Sequence, residues 1–472
     1  MAYVEKIAPI LILLVVIALV LGRLPRVELG HSSGYRRRRV MNWLPVGLLY
    51  AFLYMGRYNL TVSKDALGGL MTNEDFGFIF GVGTAVYGSA FVLNGPLTDR
   101  IGGKKALLLG GAGSLLANLA MGLVARNPGE GNLTSMFALL YGVNMYFQSF
   151  GAVAIVKINA PWFHVRERGV FGAIFGILIS LGVYFAYDWG GLIVDSLPVQ
   201  WVFFIPAMLL GALWLTVAVV ARNTPGEAGF DDFDTADASS GEAADAPRMP
   251  ARQVFAMMLR NPIIVTIAAI EFCSGFLRQA IMQWYKTIMK QTGLSVDNFV
   301  YENWGLLLCC AGILGGVLAG VLSDRVFDSR RGPVAVLLYA VMIVGAIALN
   351  FVLDTSWLGW LVVFMSMAVI GVHGMLSGTA SMDFGGRRNA GIAVGIIDGF
   401  VYAGTAVMSF TYGAILPSEP PASQQIENYA LWPVAMLPLA ILGLGLAWRI
   451  RNAKPGAPKK AGVTPAVAEK VS

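Results

Sequence analysis

Long apolar segments dominate the sequence, and each is long enough to cross a lipid bilayer as a helix. A hydrocarbon layer about 30 Å thick requires roughly 20 helical residues. Thirteen segments approach or exceed this length, at residues 7–24, 42–62, 77–97, 104–126, 133–157, 168–190, 198–222, 262–285, 300–322, 334–353, 357–380, 391–416 and 429–450. Only 13% of the residues are charged, against about 25% in a soluble domain. The sequence therefore predicts an all-α polytopic membrane protein.

Basic residues in the loops divide unequally between the two sides of the membrane. One side carries only Lys6, Lys64, Arg126, Lys286 and Lys290, while the remaining loop arginines and lysines gather on the other side. Since cytoplasmic loops carry the excess of Lys and Arg, the richer side is predicted to be cytoplasmic. An odd number of spans then places the N-terminus outside and the C-terminus in the cytoplasm.

The first apolar segment, 7–24, has two interpretations. Four consecutive arginines, Arg36–Arg39, precede the next segment and would lie outside if a secretory signal were cleaved from the chain. We therefore expect residues 1–30 to form an extra transmembrane helix. A cleaved signal or an interfacial segment remains the alternative.

A polar stretch divides the other twelve segments into two sets of six. Residues 223–256 are rich in Asp, Ala, Glu, Gly and Pro, a composition typical of a disordered linker. The expected halves are 40–222 and 257–450, and the tail 451–472 is predicted to be disordered and cytoplasmic.

A repeated motif supports duplication of the six-helix unit. Gly95, Asp99, Arg100 and Gly102 end the second helix of the first half, and Gly320, Asp324 and Arg325 recur 225 residues later. We expect the first glycine of each copy to permit close helix approach. Two copies at equivalent places predict a duplicated six-helix unit, with two pseudo-symmetric halves.

Arginine occurs inside two membrane segments, Arg57 and Arg278, each in the first helix of its half. Burying Arg in a membrane helix costs at least about 2.5 kcal/mol, so such residues usually face a cavity or a partner. A pair of guanidinium groups fits an anion, because each binds two oxygens of a phosphate or carboxylate at once. The structural alternative is an ion pair between Arg278 and Glu271, which lies seven residues earlier on the same helical face.

Other polar side chains inside the segments extend the candidate site. Predicted to line the substrate cavity are Tyr54, Tyr87, Gln148 and Tyr285. Predicted to act in coupling or gating are Lys157, Glu271, Glu302, His373 and Asp398. Each of these residues has a structural alternative, which is a hydrogen bond between helices or, for Lys157, extension of its amine to the interface.

Several other functions are disfavoured. Three cysteines and three histidines show no metal-ligand spacing, and no nucleophile with a neighbouring base is evident, so we predict neither a metal, a cofactor nor an enzyme. The net charge of +6 is scattered through short loops, which disfavours nucleic acid as a partner. The expected partners are a small anion and the lipid bilayer, with the chain acting as a monomer.

Several segments together resemble the organophosphate:phosphate antiporters of the major facilitator superfamily over about residues 40–450. These segments are Arg57-Tyr-Asn59, Pro161–Gly169, Arg222–Gly226, Ser323–Gly332 and Met382–Gly391. The resemblance implies that Arg57 and Arg278 bind the phosphate group, and Glu302 also matches the family. It implies a bacterial inner-membrane carrier that exchanges a sugar phosphate or glycerol phosphate for inorganic phosphate by alternating access.

The chain also departs from that family. Tyr58 and Gln283 stand where a Lys and an Asp are common, Phe91 replaces a Lys, Ile179 replaces a His, and Glu271 replaces a frequent Asn. Two rival functions follow. One is proton-coupled symport of another anion through Glu271, His373 or Asp398, and the other is a membrane sensor of sugar phosphate that does not transport.

Overall fold

The computed structural model describes residues 30–128, 132–164, 168–233, 235, 250–295, 298–328, 330–380 and 390–453. The predicted helix 7–24, residues 234 and 236–249 of the predicted linker, most of the Met382–Gly391 segment and the tail after residue 453 lie outside these ranges. The predicted all-α fold is confirmed, because the described residues form helices, turns and loops without a strand.

The first half consists of six helical elements. They are α1 (Ser33–Leu67), α2 (Asn73–Ile101), α3 (Gly103–Arg126), α4 (Leu133–Gln148), α5 (Arg168–Tyr184) and α6 (Trp201–Val220). Phe150–Asn159 continues α4, and a π-helical turn at Phe185–Trp189 connects α5 to Gly190–Ser196.

The second half begins with a short helix that is followed by six longer ones. They are α7 (Ala251–Arg260), α8 (Pro262–Gln291), α9 (Trp304–Val321), α10 (Arg331–Leu349), α11 (Trp357–His373), α12 (Ala390–Ile415) and α13 (Met436–Arg449). Short helical turns at Phe299–Glu302 and Leu431–Val434 precede α9 and α13.

Ten helical segments in the described part of the chain are long and apolar enough to span a membrane. Helices α1 and α12 are not among the ten. Arg57 and Asn59 lower the hydropathy of α1, although both side chains are buried. The count of six plus six plus one spans stays a prediction.

Helix α7 overlaps the last six residues of the predicted linker, 251–256, which are helical in the described structure. Its ten residues are too few to cross a bilayer, and two of them are arginines. The helix is therefore not part of a long apolar segment of the sequence. Val254 and Met258, four residues apart on one face, are both buried. This apolar face packs α7 at the start of the second half.

The two halves contact each other at the predicted extracytoplasmic end. The amide of Asn73 in α2 donates to the carbonyl of Pro417 at 2.6 Å and to Gln291 in α8 at 3.2 Å. The Asp188 carboxylate of the first half accepts from the backbone N–H groups of Gly305 and Leu306, at 2.7 and 2.9 Å. Asp188 therefore satisfies donors at the start of α9 that have no partner within that helix.

Glycine sets the separation of α8 and α12. A Cβ atom added at Gly275 would lie 2.0 Å from the carbonyl oxygen of Val401, and one added at Gly404 would lie 2.0 Å from that of Phe272. Each glycine therefore allows the backbone of the other helix to approach closely. This packing places the polar residues of α12 beside those of α8.

We predict that Gly275→Ala separates α8 from α12 and lowers the free energy of unfolding by about 1–3 kcal/mol, the usual cost of overpacking. Gly316→Ala in α9 is the matched control, because a Cβ atom there meets no atom within 4 Å. Thermal unfolding in detergent compares the two variants. Equal midpoints would contradict this account of the packing.

Candidate functional site

Arg57 lies in the interior of α1 with only 1% of its surface exposed. Its Nε atom donates to the side-chain oxygen of Gln148 at 3.0 Å. Its two terminal nitrogens donate to the hydroxyl groups of Tyr402 at 3.0 Å and Tyr87 at 2.9 Å. Three uncharged oxygens therefore replace part of the water that this guanidinium loses on burial.

Aromatic rings surround the same guanidinium. Its central carbon lies 4.5 Å from the ring centroids of both Tyr54 and Tyr87, and 5.9 Å from that of Tyr402. Cation–π attraction of this kind strengthens when the cation is removed from water. The rings and hydroxyls together hold Arg57 as a cation although no carboxylate of the described residues pairs with it.

A network of buried amides fixes Gln148 behind Arg57. The Gln148 amide donates to Ser114 at 3.3 Å and to Asn144 at 3.2 Å. Asn144 in turn donates to the carbonyl of Gly56 at 2.8 Å, beside Arg57 on α1. The network joins α1, α3 and α4, so it orients the Gln148 oxygen toward the guanidinium.

Arg278 in α8 has a different environment. None of its nitrogens has a hydrogen-bond acceptor among the described residues, and its Nε atom is buried without a partner. Tyr54 and Tyr402 are close enough to interact electrostatically with both Arg278 and Arg57. The two guanidinium groups therefore face one region of the bundle, and the donors of Arg278 are available there.

The halves are joined beside this region by side chains of both. The neighbour of Arg278, Gln279, donates to the hydroxyl of Tyr58 at 2.9 Å, and Gln283 donates to Gln279 at 3.2 Å. Tyr58 and Gln283 occupy the two positions at which the resembled family often has charged residues. Here an uncharged chain of hydrogen bonds links α1 and α8.

Glu271 does not form the ion pair with Arg278 that was the structural alternative. Its carboxylate is fully buried, and Oε2 lies 2.7 Å from Nδ1 of His373 in α11. The other carboxylate oxygen has no hydrogen-bond partner. Seven residues place Glu271 and Arg278 on one helical face, but His373 comes closer from the neighbouring helix.

Asp398 in α12 completes a polar cluster with Glu271 and His373. It accepts a hydrogen bond from the hydroxyl of Ser377. It is also close enough to interact electrostatically with His373, Glu271 and Arg278. The structure thus brings together three of the five residues predicted for coupling or gating, next to one of the two arginines.

The other predicted residues lie elsewhere. Tyr285 packs against Trp304, with ring centroids 4.4 Å apart, and its buried hydroxyl has no partner. Glu302 is exposed in the short turn before α9. No contact connects either side chain to Arg57 or Arg278 in the described structure.

The first copy of the repeated loop motif contacts the continuation of α4. Lys157 donates to Asp99 at 2.6 Å, and both side chains are substantially exposed. Arg100 is in the last turn of α2, and Gly102 has a φ of 87°, which favours glycine between α2 and α3. In the second copy, Asp324 and Arg325 fall in the π-helical turn Leu322–Val326.

The expectation for the first glycine of each motif is wrong. A Cβ atom at Gly95 or Gly320 would meet no atom within 4 Å, so neither glycine mediates a close helix approach in this conformation. The close approaches occur deeper in the bundle, at positions such as Gly275 and Gly404, where the sequence shows no motif.

Tyr402 is the site residue that the sequence analysis missed. It contacts Arg57 from the other half of the molecule and lies close to Arg278. The sequence offers one indication of this position. Tyr402 follows Asp398 by four residues and therefore shares its face of α12.

Comparison with known families identifies one model that spans most of the chain. The model described as Major Facilitator Superfamily matches residues 46–409.

Curated relatives come from bacteria. They include Membrane sensor protein UhpC of Salmonella typhimurium, 24% identical, with 82% of this chain and 87% of the relative covered. The Glycerol-3-phosphate transporter of Bacillus subtilis is also 24% identical, with 80% and 87% covered. A Phosphoglycerate transporter protein of Salmonella typhimurium is 25% identical, with 66% and 69% covered. The resemblance to the organophosphate:phosphate antiporters is thereby confirmed.

Solved structures support the fold. A bacterial homologue of the lysosomal transporter Spinster, in an inward-facing and unoccupied conformation, superposes with a TM-score of 0.67 at 12% identity. The match covers 89% of this chain and 98% of that one. The nucleoside transporter NupG superposes with a TM-score of 0.63 at 13% identity, covering 88% and 98%.

The different environments of the two arginines predict different effects on stability. Arg57→Lys removes the planar set of donors to Gln148, Tyr87 and Tyr402, so the free energy of unfolding should fall by about 1.5–3 kcal/mol. Arg278→Lys breaks no hydrogen bond of the described structure and should leave stability nearly unchanged. Thermal unfolding of the ligand-free variants measures both. A larger loss for Arg278→Lys would show that Arg278 has a structural partner after all.

Proposed function

The chain belongs to the Major Facilitator Superfamily, and from that premise we propose that it is a secondary active transporter of a small phosphorylated organic anion. The substrate class is a sugar phosphate or glycerol phosphate, exchanged for inorganic phosphate by alternating access. The proposed transport requires neither a cofactor nor a chemical change of the substrate.

One observation carries the proposal. Arg57 and Arg278 occupy the first long helix of each half, face one region, and lack a paired carboxylate among the described residues. Arg278 offers its whole guanidinium, and Arg57 retains donor capacity beyond its three hydrogen bonds. A phosphate monoester carries about −1.5 to −2 charges near neutral pH, which matches the two guanidinium charges.

Exchange follows from the electrostatics of an empty site. Closing both halves over an unpaired guanidinium costs several kcal/mol, because the ion loses water without gaining a partner. An anion bound between the arginines removes most of that cost and favours the closed state, since it contacts both halves at once. The loaded carrier therefore crosses between its two states far more readily than the empty one.

The relatives also support the substrate class. Two of the three described above are named for transport of glycerol 3-phosphate or phosphoglycerate. The third is named a membrane sensor, which supports the rival proposal that this chain binds a sugar phosphate and signals without transport. Binding without uptake would identify the sensor.

The expected setting is the bacterial inner membrane. We propose that the chain acts there as a monomer, with its C-terminus in the cytoplasm, as the distribution of basic loops predicts. Labelling of single introduced cysteines from each side of the membrane tests this orientation.

We predict that Arg57→Lys and Arg278→Lys each reduce phosphate-driven exchange roughly tenfold or more, because each loses bidentate contacts worth about 1.4 kcal/mol or above. The assay is uptake of labelled glycerol 3-phosphate into proteoliposomes preloaded with inorganic phosphate. Arg126→Lys, at the exposed end of α3, is the matched control and should exchange like the wild type.

Wild-type exchange in either site variant would overturn the role of the two arginines. Binding of the ester by the wild-type protein without any uptake would replace the transporter proposal with the sensor. The two results are distinguishable because binding and uptake are measured on the same preparation.

A further inference from the structure

A buried acid–imidazole pair lies beside Arg278 and is not used in phosphate exchange as proposed. Glu271 has no exposed surface, and one of its oxygens contacts His373 at 2.7 Å while the other has no partner. His373 retains 22% exposure of its side chain, so the pair is not sealed in the core. A buried carboxylate oxygen without a partner has lost its water without compensation, which disfavours the charged form.

Two acidic side chains share the region of the two arginines, so a dianion matches the two guanidinium charges only when both acids are neutral. Arg57 and Arg278 contribute two positive charges, and Glu271 and Asp398 contribute two negative charges when ionised. A dianion that enters this region leaves about two uncompensated negative charges in a low-dielectric interior. Protons are the smallest charges that can restore the balance.

We propose that Glu271, His373 and Asp398 form a proton-binding site that takes up protons when the anion binds at Arg278. A proton on His373 turns its contact with Glu271 into an ion pair, and a further proton can bind Asp398 or the unpartnered Glu271 oxygen. This inference rests on the proposed function, since it assumes anion binding at Arg278. It adds that anion binding is linked to pH.

The groups that face Glu271 limit where the proton can bind. From α8 itself these are Cys273 and Arg278, from α10 Tyr339, from α11 His373, and from α12 Asp398. The imidazole and the two carboxyl groups offer atoms that can accept a proton, whereas the guanidinium of Arg278, the hydroxyl of Tyr339 and the thiol of Cys273 already carry theirs. The proton therefore binds among Glu271, His373 and Asp398.

The direction of the pH effect follows from linkage. Because the bound state holds more protons than the free state, anion affinity rises as pH falls and declines as pH rises. Each linked proton changes the affinity by up to about tenfold per pH unit. The ligand itself does not contribute if the measurements stay above its own second pKa, at about 6.

The test uses the full-length protein in detergent with glycerol 3-phosphate as the probe. Calorimetry in two buffers of different ionisation enthalpy, between about pH 7.5 and pH 9, counts the protons taken up on binding. We expect uptake of about one proton by the wild type. We also expect weaker binding at the higher pH.

Variants locate the proton. Glu271→Gln removes one negative charge, so proton uptake should fall and affinity at high pH should approach the low-pH value. His373→Gln keeps a hydrogen bond to Glu271 but cannot carry a charge, so its pH profile should also shift. Glu427→Gln, at an exposed position in the turn Ile426–Tyr429, is the matched control and should keep the wild-type profile.

The outcomes separate the two proposals. Absence of ester binding at every pH would overturn the proposed function. Binding with no proton uptake by the wild type, or with an unchanged pH profile in both Glu271→Gln and His373→Gln, would overturn the proton-binding site alone. If Glu271→Gln does not fold, the proton count on the wild type still decides.

Discussion

The cost of burying two guanidinium groups in a membrane-spanning bundle governs the centre of this protein. For Arg57 the bundle meets that cost locally, with three uncharged hydrogen-bond acceptors and the faces of tyrosine rings. For Arg278 it does not, because no acceptor among the described residues reaches its nitrogens. In the proposed function, Arg57 is the preorganised half of the binding site, and Arg278 is the half that a ligand completes.

The contrast assigns separate tasks to the two halves of the molecule. The amide network around Gln148 fixes Arg57 with respect to α1, α3 and α4, so the first half presents a rigid cation. The second half holds Arg278 close to the buried Glu271, whose carboxylate contacts His373. Tyr402 belongs to the second half and hydrogen-bonds Arg57 of the first, so it links the two halves at this arginine.

The sequence predicted the features that depend on single unusual residues. The long helices were predictable, because an apolar segment of about 20 residues matches the thickness of a bilayer. Arg57 and Arg278 were predictable, because an arginine inside such a segment usually faces a cavity or a partner. The partners were harder to predict. Tyr402 looks like a packing residue in an apolar helix, and the Glu271–His373 contact joins residues 102 positions apart. Helix α7 and the glycine contacts of α8 with α12 also depend on tertiary packing, which periodicity does not encode.

The central claim is that both arginines bind one anion at the same time. A double-mutant cycle tests it directly, with calorimetric binding of glycerol 3-phosphate to the wild type, Arg57→Lys, Arg278→Lys and the double variant. Residues that share one ligand should show a coupling energy of about 0.5–3 kcal/mol. Losses that add to within about 0.3–0.5 kcal/mol would mean that the two arginines act independently, and would contradict the account.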